Sequence, residues 1–136
     1  MPNNLSPRKV VETFLQRCCD FEFDAAFELI DEDCIYCNVP FHTARGKQRV
    51  MRDLNSMGRF VNQFDVDMVN IAVNRNVVLT ERVDTLGGRF FKVDLKLMGV
   101  FVIEDGKISE WRDYFDWSSC GGKFITGGFS RLLPKR

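Results

Sequence analysis

In the segment VLTERVDTL, Val78 to Leu86, an arginine and an aspartate stand two residues apart, at Arg82 and Asp84. On a strand both side chains leave the same face of the sheet, so a cation and a carboxylate are aimed together. A second carboxylate, Asp113, lies in KISEWRDYFD, where Ser109, Trp111, Asp113 and Phe115 share a face. An ionised carboxylate in such an apolar wall is costly unless its pKa rises or a cation sits beside it. Arg82 offers that cation. Two carboxylates around one guanidinium have a simple low-energy state in which one is ionised and the other keeps its proton, so that one arrangement yields a base and an acid. A buried Asp-Arg-Asp bridge that merely fixes the sheet has the same pattern, because perturbed carboxylates occur in structural networks as well as in catalytic sites.

The sequence IYCN adds Tyr36 and Asn38, again two apart on one strand face. A phenol and an amide could hold one water by two hydrogen bonds while a carboxylate takes its proton. An ordinary half-exposed edge strand fits the same spacing. Cys34-x-x-Cys37 has the spacing of half a zinc site, but three residues apart on a strand the two face opposite ways, there is no second pair, and His42 is the only histidine. No serine or cysteine triad is supported. Gly121-Gly122 and Gly127-Gly128 belong to no phosphate-cradling strand-to-helix pattern and read as turns. No metal site is expected.

The elements that must position these residues follow from periodicity. Ser6-Pro7 reads as an N-cap and first helical position, after which Val10, Val11, Phe14, Leu15 and Cys18 recur at helical spacing. FDAAFELI, Phe23 to Ile30, reads as a second helix, CIYCNVP as a short strand stopped by Pro40, and GKQRVMRDLNSMGRF as a third helix. After about residue 62 the period alternates, giving strands in NQFDVDMVNIAV, VVLTERVDTL, RFFKVDLKLMGVFVIE and KISEWRDYFD. Helices followed by an antiparallel meander imply an α+β fold, with helices packed on one face of a curved sheet. A three-residue loop with Gly106 as a left-handed bulge would join the apolar faces of the last two strands, setting Asp113 opposite Leu97, Phe115 opposite Leu95 and Trp111 opposite Gly99. The neighbouring strand would supply Phe91, Val93, Leu95, Leu97, Phe101 and Ile103 to that wall.

A chain of 136 residues with 45% apolar residues and 13 phenylalanines can bury a substantial core, and one domain over residues 1–136 is expected. Lysine plus arginine equals aspartate plus glutamate at 19 each, with no basic run, so nucleic acid is not an expected partner. No stretch has the length to cross a bilayer, and five cysteines, an odd number, fit reduced thiols in a cytoplasmic protein.

YCN after the second helix, LTERVD on one strand and LMGVFVIEDGKISEWRDYFD across a hairpin resemble the limonene-1,2-epoxide hydrolase family, from about residue 7 to 117. The resemblance implies a cone-shaped fold, with three N-terminal helices in the concave face of a mostly antiparallel sheet, shared with ketosteroid isomerases and polyketide cyclases. It also implies cofactor-free, one-step hydrolysis of an epoxide to a vicinal diol and a homodimer. By the same resemblance Asp84 is the general base, Tyr36 and Asn38 position the water, Asp113 is the general acid, and Arg82 bridges the two carboxylates. Met57, Leu86, Leu95, Leu97, Trp111 and Phe115 would form the substrate pocket, although core packing accounts for any one of them equally well. An isomerase or cyclase of the same fold would use one carboxylate near a carbonyl and has no need of a second acid bridged by arginine. A non-enzymatic apolar-ligand domain would hold the three charges as a structural bridge. Fold alone does not choose among them.

Overall fold

Ser6 closes the first turn of α1 (Pro7–Cys19), its hydroxyl accepting the Lys9 N–H at 3.3 Å, while Pro7 fills a position whose N–H would have no helical partner. The apolar residues read at helical spacing, Val10, Val11, Phe14, Leu15 and Cys18, are all buried. The computed structural model describes residues 5–116 and 118, apart from 41. After α1 come α2 (Phe23–Phe27), β1 (Ile30–Val39), β2 (His42–Arg45), α3 (Lys47–Phe60), β3 (Gln63–Asn74), β4 (Val77–Gly87), β5 (Lys92–Glu104) and β6 (Lys107–Phe115). Cys120 and the turns expected at Gly121-Gly122 and Gly127-Gly128 lie outside the described residues.

The strands form one six-stranded sheet in the order β2-β1-β6-β5-β4-β3, antiparallel except where β1 runs parallel to β6. The architecture is thus α+β with a mostly antiparallel sheet. Helix α1 lies chiefly against β3, and α3 against β1 and β2. The core between helices and sheet is built from Phe14, Ile30, Val50, Phe101 and Ile108, each almost wholly buried. Among the described residues no helix is long and apolar enough to cross a membrane.

Four local features differ from the sequence reading. Helix α2 ends at Phe27, short of Ile30, because Ile30 already pairs with Ile108 and the Ile108 N–H bonds the Leu29 carbonyl. Strand β1 therefore begins at Ile30 and not at Cys34. Residues 42–45, unassigned from sequence, form β2, which folds back antiparallel on β1 with Tyr36 opposite Ala44. Strand β5 begins at Lys92, because the Gly88 N–H bonds the Phe91 carbonyl at 2.8 Å and closes a loop between Gly87 and Lys92. Phe91 stands 44% exposed, outside the apolar wall it was expected to join.

The fourth difference concerns register. The β5–β6 turn has a two-residue loop, Asp105-Gly106, with both residues at positive φ (51° and 75°), the backbone of a tight primed hairpin turn. The bulge falls farther along, at Ser109, which is skipped between the pairs Ile103–Ile108 and Val102–Glu110 and donates its hydroxyl to the Val102 carbonyl at 3.1 Å. The bulge switches the inward residues from Ile108 to Trp111 and Asp113, so the apolar faces join as expected. The pairing is displaced by two residues: Asp113 faces Gly99, Trp111 faces Phe101 and Phe115 faces Leu97.

Candidate active site

The displaced register builds a row across the sheet in which Asn38, Asp113, Gly99 and Thr80 are successive neighbours on β1, β6, β5 and β4. The next row brings Tyr36 beside Trp111 and Trp111 beside Phe101. Strands β4 and β6 are not adjacent but lie about 10 Å apart on either side of β5, and Arg82 is offset from the Asp113 row by two residues as well. The guanidinium crosses that gap over Gly99. A methyl group at Gly99 would stand 2.6 Å from Arg82 Nη1, 2.8 Å from Thr80 Oγ1 and 3.0 Å from Asp113 Oδ1, closer than van der Waals packing allows. The absent side chain is the space the cation occupies.

Arg82 is 1% exposed, and Asp84 and Asp113 are 5% and 3% exposed. Arg82 donates from Nε to Asp84 Oδ1 at 3.1 Å and from Nη2 to Asp84 Oδ2 at 3.0 Å, a two-pronged pairing of guanidinium and carboxylate. The same Nη2 reaches Asp113 Oδ1 at 3.4 Å, and Nη1 donates to Thr80 Oγ1 at 3.1 Å. Asp113 Oδ1 also accepts the Trp111 indole N–H at 2.8 Å, and its Oδ2 accepts the Tyr36 hydroxyl at 3.5 Å. The two acids are therefore held unequally.

Burial pushes the Asp113 carboxyl up to about 6 despite the opposing pull of Arg82 and the Trp111 N–H, with the nearby charge of Asp84 adding to the rise. Burial alone would lower the Arg82 pKa, but the charge of Asp113 and the bonds to Asp84 outweigh it and hold the guanidinium above its ordinary value. Tyr36 is raised, first by burial and then by the charge of Asp113, so the phenol keeps its proton.

These groups line a cavity of about 230 Å³. Tyr36, Asn38, Arg82, Asp84 and Asp113 all contribute to it, as do Met57, Leu86, Leu95, Trp111 and Phe115. Leu97, expected in the pocket, is instead buried outside the cavity wall, paired with Phe115 across the β5–β6 ladder. Asn38 Oδ1 is buried and has no hydrogen-bond partner among the described residues, so the cavity contains an acceptor suited to a bound hydroxyl or water.

Several members of the site were not assigned to it from sequence. Leu15, Cys18, Leu54 and Phe64 complete the wall; the first three belong to helix faces whose periodicity was clear, but periodicity does not say which strand a helix covers. Burial, followed by the neighbouring Cys19, pushes the Cys18 thiol up to about 12, so it stays a neutral wall residue. Thr80 had a readable signal, since it lies two residues before Arg82 on the same strand face. Trp111 lines the wall, as its strand parity predicts, and also donates to Asp113, a contact that parity alone does not reveal.

Residues 5–120 match the family model described as the limonene-1,2-epoxide hydrolase catalytic domain. The chain is 36% identical over 124 residues to the epoxide hydrolase EphG of Mycobacterium tuberculosis (strain ATCC 25618 / H37Rv), a match covering 91% of this chain and 83% of that protein. The solved structure of an M. tuberculosis LEH-like epoxide hydrolase superposes with a TM-score of 0.82 at 33% identity, covering 93% of this chain and 95% of the other. A SnoaL-like polyketide cyclase-type protein from Shewanella putrefaciens CN-32 gives 0.81 at 9% identity over 88% and 96% of the two chains, a likeness of fold alone. Sequence, fold and comparisons agree: the chain belongs to the limonene-1,2-epoxide hydrolase family.

Proposed function

We propose that this chain, folded as a single domain, hydrolyses a small apolar epoxide, terpene-like or cyclic, to a vicinal diol by direct attack of water, without cofactor or covalent intermediate. The observation that carries this reading is the unequal holding of two buried carboxylates by one arginine in an apolar cavity that also contains Tyr36 and Asn38. Asn38 and Tyr36 hold the water, and Asp84 takes its proton as the oxygen bonds to a ring carbon. Asp113 gives its proton to the epoxide oxygen as the ring C–O bond breaks. Each turnover leaves a proton on Asp84 and removes one from Asp113, and exchange with solvent resets the pair. Arg82 keeps both acids in place and offsets the one negative charge they share.

An epoxide is strained but leaves as a poor alkoxide, so a base and an acid acting together spare the reaction a free charge. Met57, Leu86, Leu95, Trp111 and Phe115 would enclose the hydrocarbon, with Leu97 packed outside that wall. The cone expected from the family would place the helices over the concave side of the sheet and close the cavity around the substrate.

The proposal is tested by the pH dependence of diol formation from a cyclic terpene epoxide such as limonene oxide. Asp113 must carry its proton to act, so kcat/KM falls as pH rises through about 6, by about tenfold per unit beyond it. Activity that rises through this range removes Asp113 as the acid. A homodimer is also proposed, formed through the sheet's outer face, where Leu79, Met98 and Tyr114 are exposed at 43%, 56% and 43%. Sedimentation equilibrium should then read twice the 15.8 kDa chain mass, and a monomer at micromolar concentration would contradict it.

A further inference from the structure

The two oxygens of Asp113 are not equivalent. Oδ1 accepts from Trp111 Nε1 at 2.8 Å and from Arg82 Nη2 at 3.4 Å, whereas Oδ2 is approached by the Tyr36 hydroxyl at 3.5 Å. An oxygen already accepting two N–H groups has no direction left in which to carry a hydrogen of its own without opposing one of them. We propose that Trp111 is a positioning residue, whose indole N–H occupies Oδ1 together with Arg82 and so leaves the transferable proton of Asp113 on Oδ2, the oxygen beside Tyr36. This inference rests on the acid role given to Asp113 above.

The indole is held firmly enough to do this. Its ring meets Tyr36 at 4.2 Å between centroids, Phe14 edge-on at 5.3 Å and Phe101 in a stack at 5.4 Å, and Trp111 is 5% exposed. Trp111 and Asp113 stand two apart on the same strand face, so the N–H is directed along β6 to the carboxyl. With the proton on Oδ2, Asp113 no longer needs the Tyr36 hydroxyl as a donor, and the phenol can direct its O–H to the attacking water. Once the proton has left, the negative charge develops on a carboxylate whose Oδ1 already holds two N–H groups, an arrangement that stabilises the ionised form. Trp111 thus acts through Asp113, setting which oxygen delivers the proton and how readily.

Titration of the protein itself tests this without any epoxide. Carboxyl carbons of aspartate-labelled protein are followed by NMR against pH, with Asp113 identified through Asp113→Asn, and the Trp111 indole N–H is followed in parallel and identified through Trp111→Phe. In the parent protein the indole resonance should move with the same midpoint as Asp113, and that movement should vanish in Asp113→Asn. In Trp111→Phe, which retains an aromatic wall but no donor, the Asp113 midpoint should rise by about one pH unit, the effect of one lost hydrogen bond to a carboxylate. An indole resonance indifferent to Asp113, or an unchanged midpoint in Trp111→Phe, overturns the proposal. If Trp111→Phe does not fold, the parent's indole resonance decides alone. Inability of the protein to open any epoxide would remove the proposed function, but it would not alter this titration.

Discussion

Asp84→Asn and Asp113→Asn each lower kcat for epoxide opening by about a hundredfold to ten-thousandfold, the range expected when a positioned acid or base is withdrawn. The amides keep the size and planarity of the carboxyls, so the loss reports proton transfer more than packing. The two losses are not additive: a base without its acid leaves an alkoxide to depart unaided, and an acid without its base faces neutral water, so the double variant should be little worse than the poorer single one. Steady-state assays on an epoxide the parent turns over check this. Parent-level activity in either variant removes that residue from the reaction.

Asp113→Asn also has a consequence for stability. Because burial raises the Asp113 pKa to about 6 from an ordinary 3.8, the folded chain holds a proton that the unfolded chain has released. The stability this contributes is complete below pH 3.8 and is lost as pH rises through about 6. Urea denaturation should therefore show this contribution fading between those limits in the parent and absent in Asp113→Asn.

Arg82→Met produces the largest loss of stability, about 3–5 kcal/mol, because it leaves two nearly buried carboxyls without their cation. Asp84 loses both N–H groups of its two-pronged pair, Asp113 loses one of its two Oδ1 donors, and Thr80 loses the N–H it accepts. Converting Arg82, Asp84 and Asp113 together to apolar residues of similar volume should restore most of that stability while abolishing activity, since buried ion clusters are often no more stabilising than hydrophobic replacements. That outcome would mark the cluster as retained for chemistry. Chemical denaturation measures both variants, and a loss below about 1 kcal/mol in Arg82→Met would mean that water reaches the two carboxyls freely.

The charged cluster was legible in the sequence because strands alternate strictly. Arg82 and Asp84 share a parity, Trp111 and Asp113 share a parity, and no irregularity falls between the members of either pair. The register joining them was not legible, since a three-residue loop at Gly106 and a two-residue loop followed by a bulge at Ser109 bring the same faces together and differ by two places along β6. That difference decides what lies opposite Asp113. With Leu97 there the guanidinium would have had to pass a side chain; with Gly99 it passes freely.

The parallel junction of β1 and β6, which brings Asn38 beside Asp113, was equally hidden. It joins segments far apart in sequence, and the strand completing that edge, β2, is four residues long with a single buried side chain, Ala44, too short to show a period. Tyr36 and Asn38 could therefore be read as a pair, but the acid they adjoin could not be read from spacing.

The central claim is that water opens the epoxide directly, and single turnover in oxygen-18 water tests it most directly. With enzyme in excess over a cyclic terpene epoxide, the diol formed in the first turnover should carry one labelled oxygen and the recovered protein none. An unlabelled first-turnover diol, with label appearing in Asp84 or Asp113, would mean that a carboxylate attacked the ring and an ester was hydrolysed afterwards, contradicting the account.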